Sequence, residues 1–129
     1  MSILILGIGT DIVAYTRIDA VHRKYGERFA KRVLSQEEWV EYCAHLHPVR
    51  FLMKRFAAKE ALAKAAGTGL RYPVTLQKIS VTHDGAGKPA FEFDQELATH
   101  LMQLGVTKHH LSISDDHGIA VAFVVLEKN

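Results

Sequence analysis

A single cysteine, Cys43, stands among the 129 residues. No internal disulfide can staple the chain, and this usage fits a reducing cytosol. In its Tyr-Cys-Ala setting the thiol reads as packing rather than as a nucleophile. No apolar run approaches the roughly 20 residues that a membrane-spanning helix needs. The opening MSILILGIG is apolar but has no basic residues before it and soon meets Asp11, which argues against a secretory signal. Eight histidines are present, yet neither a Cys₂His₂ spacing nor HExxH occurs, so zinc is disfavoured. Ser112 and Ser114 lie outside any nucleophile elbow, and there is no Walker A motif. Gly7-Ile8-Gly9 lacks the third glycine of a dinucleotide fingerprint. The formal charge of +2 is too small to indicate nucleic acid by itself.

What is present is an ordinary globular composition, 48% hydrophobic and 23% charged, in a length suited to one domain over residues 1–129. Ile3–Val13 reads as a buried strand, near-continuous in Ile, Leu and Val. Thr16 is placed to cap a short helix, Arg17–Lys24, which Gly26 interrupts before another turn at Glu27–Leu34. Ser35-Gln36-Glu37-Glu38 is a capping box that opens a helix to about His45, with Trp39 and Tyr42 as its apolar contacts. Pro48 starts the next helix. Pro73 marks a connection, and Lys78–His83 and Pro89–Phe93 form a hairpin around Asp84–Gly87. Asp94 caps a helix through Leu104. The chain ends in the strands His109–Ser114 and Ile119–Leu126, with a tight turn at Asp115–Gly118. Strand, helices, then mostly antiparallel strands with one helix make an α+β pattern.

The stretch KRFAAKEALAKAAGTG, residues 54–69, is the best helix former, stopping at Gly67 and Gly69. From Arg50 to Arg71 there are six basic residues and one acid, Glu60. Glu60 and Lys64 lie four apart on one face. Lys59 points instead toward Leu52, Phe56 and Leu62, where a lysine reads as snorkelling at a cleft edge or meeting another subunit. Across residues 17–32 six further basic residues face Asp19 and Glu27. If these turns are roughly collinear, Arg17, Lys24, Arg28 and Lys31 share a face that suits an acidic partner, and a merely solvated surface fits equally well. Asp11 at a strand end, Glu60, and Asp115 or Asp116 form an oxygen-rich set. Such carboxylates suit a Mg²⁺ ion that keeps waters and shares phosphate oxygens, with the lysines and Gly-Thr-Gly holding the phosphates. A non-catalytic module gripping RNA through its basic helices is the competing reading.

Three segments together sharpen this. GIGTDIV (residues 7–13), RFAAKEA (55–61) continuing to Lys64 and Gly67-Thr68-Gly69, and HLSIS (110–114) closely resemble the holo-acyl-carrier-protein synthases, the small bacterial phosphopantetheinyl transferases. The similarity runs nearly end to end, through RVLSQEE and the Gly87-Lys88-Pro89 turn. The resemblance implies the 4′-phosphopantetheinyl transferase fold, a mostly antiparallel sheet wrapped around a long central helix. It implies Mg²⁺-dependent transfer of 4′-phosphopantetheine from coenzyme A to a serine of apo acyl carrier protein, in the cytoplasm, for fatty acid biosynthesis. Asp11 and Glu60 become the metal ligands and Lys64 a catalytic and phosphate contact, with Arg55, Gly67, Thr68 and Gly69 bordering the coenzyme A site. Arg17 and Arg28 would contact the carrier protein. A homotrimer with sites between subunits is implied, and neither nucleic acid nor membrane is an expected partner. Many members of the family have His where this chain has Asp115, and an acid cannot donate to a phosphate, so that role is not transferred. Asp115 is left to turn away or to bind through water or a second cation, and His117 to substitute sterically. A metal-bound water, Glu60 acting through water, and a neutral Lys64 all stand as general base.

Overall fold

In the computed structural model, which describes residues 2–129, β1 (Leu4–Ala14) runs directly into α1 (Tyr15–Tyr25). There follow α2 (Glu27–Val33), α3 (Gln36–Ala44), α4 (Pro48–Ala65) and a 3₁₀ turn at Leu76–Lys78. The hairpin of β2 (Ile79–His83) and β3 (Pro89–Phe93), then α5 (Gln95–Gln103), lead to a second hairpin of β4 (Lys108–Asp116) and β5 (Ile119–Lys128). One antiparallel sheet has the order β1-β5-β4, and β2 and β3 form another. The α+β arrangement around a long central helix is as expected. Twelve of the 18 residues of α4 are buried, because this helix is enclosed on nearly every side.

Glycine makes the central contact possible. A Cβ on Gly7 would lie 1.9 Å from the Ala65 carbonyl oxygen, and one on Gly9 would lie 2.0 Å from that of Ala61. The backbone of β1 therefore rests on the backbone of α4, which only residues without a side chain on that face permit. Across the sheet, β5 turns Ala120, Ala122, Val124 and Leu126 inward, all fully buried. Alternation along the strands puts the other residues on the opposite face. That face is uncovered: Ile8 is 61% and Ile12 65% exposed, and Phe123 on β5 is 44% exposed. The first strand is thus buried on one face only, because α4 covers a single side of the sheet.

Local chemistry departs from expectation in two other places. The residue capping α1 is Ala14, not Thr16, and its side chain makes no cap. The Tyr15 amide instead donates to the Gly118 carbonyl at 2.7 Å, so the β4–β5 turn satisfies the helix start. Gly26 adopts φ 57° and ψ −129°, which ends α1 and redirects α2.

The capping box at Ser35 is present, with the Glu38 amide donating to Ser35 Oγ and the Ser35 amide donating to Glu38 Oε1. Glu38 does much more. It is 1% exposed, its Oε1 accepts from Lys59 Nζ, and its Oε2 accepts from the Val81 amide at 2.9 Å. Lys59 is fully buried and also donates to the carbonyls of Val33 (2.7 Å) and Leu76 (3.0 Å). The snorkelling or subunit-facing position expected for Lys59 is therefore corrected. Three acceptors inside the chain surround its ammonium, tying α2, α3, the 3₁₀ turn and α4 together. Burial pushes its pKa down to about 8, against the opposing pull of Glu38.

The two sheets meet at His109, whose Nε2 accepts from the Phe91 amide at 3.0 Å while its ring packs against Phe91 and Phe93. Burial, and then His110, hold its pKa below the usual histidine value.

Three outcomes follow from these contacts. Gly9→Ala should destabilise by about 1–3 kcal/mol in urea denaturation, since backbone rather than a flexible side chain must move; an unchanged midpoint would disprove the close approach. Glu38→Ala should cost about 3–5 kcal/mol, by leaving the Lys59 charge buried without its partner; a loss below about 1 kcal/mol would show the pair to be solvated. A histidine depressed in the fold takes up protons more readily when unfolded. The stability due to His109 is thus complete above about pH 6.5 and lost as pH falls through its folded pKa. Thermal midpoints measured on both sides of that pH should fall less in His109→Gln than in the parent, and equal falls would exclude His109.

Candidate active site

Asp11 follows Gly9 by two residues, so it stands on the same inward face of β1. The contact that presses the glycines onto α4 brings this carboxylate alongside the helix too. Lys64 Nζ donates to Asp11 Oδ1 at 3.1 Å and to the Thr10 carbonyl at 3.0 Å. The Asp11 side chain is 15% exposed and that of Lys64 is 54% exposed, so the pair sits at the rim of the fold. Glu60 lies one helical turn before Lys64 and is partly buried. Burial raises its pKa, the charge of Asp11 raises it further, and Lys64 and Arg17 oppose both effects. Arg17 reaches across from α1, with its guanidinium carbon 5.5 Å from the centroid of the Phe56 ring.

Two carboxylates on two rigid elements thus share one location, with cations at its edge. The donor set is all oxygen, and no group of three or more His, Cys, Asp or Glu suited to a metal occurs among the described residues. Zinc usually takes at least three protein ligands. A pair of carboxylates fits Mg²⁺, which retains water and takes further oxygens from phosphates.

A second charged cluster lies nearer the start of α4. Asp115 belongs to β4 rather than to the turn, and so does Asp116, because the strand runs two residues beyond its expected end. Asp115 Oδ2 accepts from Arg50 Nε at 2.7 Å, and its Oδ1 lies 3.7 Å from Lys54 Nζ. Its hydrogen bond to Arg50, aided by Lys54, holds its pKa below the usual carboxylate value. His117 is 89% exposed at the hairpin turn and pairs with Asp116, away from this cluster. Arg50 and Lys54, together with Arg55, His45, Phe51 and His83, line a cavity of about 210 Å³. Arg55 is 5% exposed, stacks 4.4 Å from the centroid of Phe51, and lies 3.5 Å from Glu38 Oε2. Its Nε is buried and faces Glu38 at that distance without meeting hydrogen-bond geometry, while its Nη2 donates to Glu41 Oε2 at 3.4 Å.

The Gly-Thr-Gly stretch behaves differently from a phosphate cradle. The Gly67 amide donates to the Lys64 carbonyl and the Gly69 amide to that of Ala63, while Thr68 Oγ1 donates to the Gly69 carbonyl. Both glycine amides close the end of α4, at positive φ, so neither is free to grip a phosphate.

The basic residues of α1 and α2 do not form one row. Gly26 divides them. Lys24 and Arg28 both lie over Tyr25, Lys31 over Trp39, and Arg17 over Phe56 near Glu60. Arg28 and Arg32 border a groove of about 370 Å³ with Val21, Tyr25 and Phe29. The local sequence around Glu38 marks it only as a cap. Its link to Lys59 spans 21 residues, and no local pattern announces it.

With this geometry in hand, the chain can be compared with known proteins. The family model of the 4′-phosphopantetheinyl transferase superfamily matches residues 7–122. The holo-[acyl-carrier-protein] synthase of Nitrosospira multiformis is 59% identical over 125 residues, covering 97% of this chain and 100% of that protein. That of Nitrosomonas europaea is 57% identical over the same span. The crystal structure of the Neisseria meningitidis synthase superposes with a TM-score of 0.95 at 46% identity, covering 97% of this chain and 100% of that one. The Bacillus anthracis synthase, solved in complex with CoA (3′,5′-ADP), matches with a TM-score of 0.80 at 35% identity, covering 97% and 98%. The chain belongs to the holo-[acyl-carrier-protein] synthase family, enzymes that transfer 4′-phosphopantetheine from coenzyme A to apo acyl carrier protein.

Proposed function

We propose that this chain, acting as one transferase domain over residues 1–129, performs the family reaction at the junction of β1 and α4. The observation that carries this reading is the meeting of Asp11, Glu60 and Lys64 across a strand and a helix whose backbones touch. Asp11 and Glu60 would hold Mg²⁺. When bound, the ion neutralises charge on the coenzyme A pyrophosphate and stabilises the leaving group. Lys64 adds a second positive contact to the same phosphates. The serine oxygen of the carrier protein forms a bond to the β-phosphorus while the bond from that phosphorus to the bridging oxygen breaks. The seryl proton goes to a base, and 3′,5′-ADP leaves with the bridging oxygen.

The basic cavity beside Arg55 suits a further phosphate of coenzyme A, since Arg50, Lys54 and Arg55 all line it and only Asp115 opposes the charge of the first two there. Gly67, Thr68 and Gly69 serve as a wall of the coenzyme A site, with the two glycine amides taken up by the end of α4. Arg17 and Arg28, exposed on α1 and α2, are assigned to the acidic surface of the carrier protein. The homotrimer is supported by the uncovered sheet face, where Ile8, Ile12, Val121 and Phe123 would otherwise remain in water. A cytoplasmic setting suits the exposed, unpaired Cys43.

Incubating the protein with coenzyme A, MgCl₂ and an apo acyl carrier protein should add one phosphopantetheine mass to the carrier. Asp11→Asn and Glu60→Gln should each slow that addition by about 100-fold or more, as losing one charge-stabilising group commonly does, without shifting the urea midpoint downward. Retained rates in both variants at saturating coenzyme A would remove the two carboxylates from the reaction.

A further inference from the structure

The contact between Lys64 and Asp11 has a bearing on how a metal enters. The Lys64 ammonium lies 3.1 Å from Asp11 Oδ1 and 3.0 Å from the Thr10 carbonyl oxygen, so two oxygen atoms of β1 hold it at once. Glu60 approaches from the preceding turn of the same helix, four residues away, on the face that Lys64 also occupies. A positive charge is therefore already seated where two carboxylates converge. Its side chain is 54% exposed and flexible, so it can swing away without disturbing the core. The backbones that carry the two carboxylates are fixed, Asp11 on a paired strand and Glu60 on a helix pressed against that strand.

We propose that Lys64 is a resident cation of the Asp11–Glu60 site. It occupies Asp11 until a divalent ion takes that carboxylate, and only then is its ammonium free for a phosphate. This rests on the reading of Asp11 and Glu60 as metal ligands. The ammonium blunts the repulsion between the two carboxylates while no metal is bound, and it competes directly with a metal for Asp11 Oδ1. Release of Lys64 then couples the two binding events. A phosphate that captures the freed ammonium favours metal binding, and by linkage the metal favours phosphate binding equally. The same lysine would thus weaken binding of the metal alone and strengthen binding of metal and coenzyme A together.

The test uses Mg²⁺ alone, titrated as MgCl₂ into the full chain and followed by the amide NMR shifts of Asp11 and Ile12, at low and at high KCl. Lys64→Met, or Lys64→Gln should the first variant fold poorly, is expected to bind Mg²⁺ roughly two- to fivefold more tightly than the parent, the size of one exposed ion pair. Arg17→Met is the control, because Arg17 influences Glu60 electrostatically but makes no bond to Asp11. Salt screens the exposed Lys64–Asp11 pair and simple repulsion by a nearby cation alike, so the gain should shrink at high KCl and the comparison with Arg17→Met at low KCl decides. A gain in the Lys64 variant that exceeds that of Arg17→Met at low KCl supports direct competition. A gain that matches the control, or is absent, overturns it. In the parallel Asp11→Asn titration, unchanged Mg²⁺ affinity would instead show that Asp11 is not a ligand, a failure of the underlying reading rather than of the competition alone.

Discussion

The approach of β1 to α4 is the constraint on which the rest of the molecule depends. Gly7 and Gly9 let the strand backbone touch the carbonyls of Ala65 and Ala61, and the small inward residues Ala120 and Ala122 on β5 let the helix settle on the neighbouring strand as well. A side chain at either glycine would hold the two elements apart. Asp11, one pleat beyond Gly9, would then lose its place beside Glu60 and Lys64. The packing contact and the chemical site are therefore consequences of the same two missing side chains.

α4 also organises charge. Along its length it meets carboxylates supplied by three other elements. Asp115 from β4 pairs with Arg50 and Lys54, Glu38 from α3 pairs with Lys59 and faces Arg55, and Asp11 from β1 pairs with Lys64. The pairs differ in their surroundings and hence in what they can do. Glu38 and Lys59 are sealed from water and fully engaged, so they fix the rotation of α4 rather than bind anything. The outer two pairs remain accessible. Their cations are held by a carboxylate at the edge of the fold, where solvent reaches them.

The two faces of the three-stranded sheet complete this division of labour. Its inner face is closed by α4, and its outer face presents apolar side chains, Phe123 among them, to water. Every β5 residue that packs inward alternates with one that points outward, so the strand that supports the site also carries the uncovered apolar strip.

The element order was legible in the sequence because local signals set it. Ser35 with Glu38, Pro48, Gly67, Gly69, Asp94 and the hairpin turns act within a few residues of themselves, and each marks an element boundary to within a few positions. The family was legible too, since GIGTDIV and RFAAKEA are specific when found together. What only the tertiary structure decided are the contacts between distant residues. Lys59 looked as though it should reach outward, because the acceptors that bury it come from Val33, Glu38 and Leu76. Asp115 had no assignable partner until β4 was laid beside α4. Gly7 and Gly9 do not make a dinucleotide fingerprint, and the helix carbonyls beneath them show why glycine is needed. Sequence alone determined which residues could carry charge and where helices begin and end. Which charges meet was decided by packing, because only the assembled core brings positions dozens of residues apart within hydrogen-bonding distance.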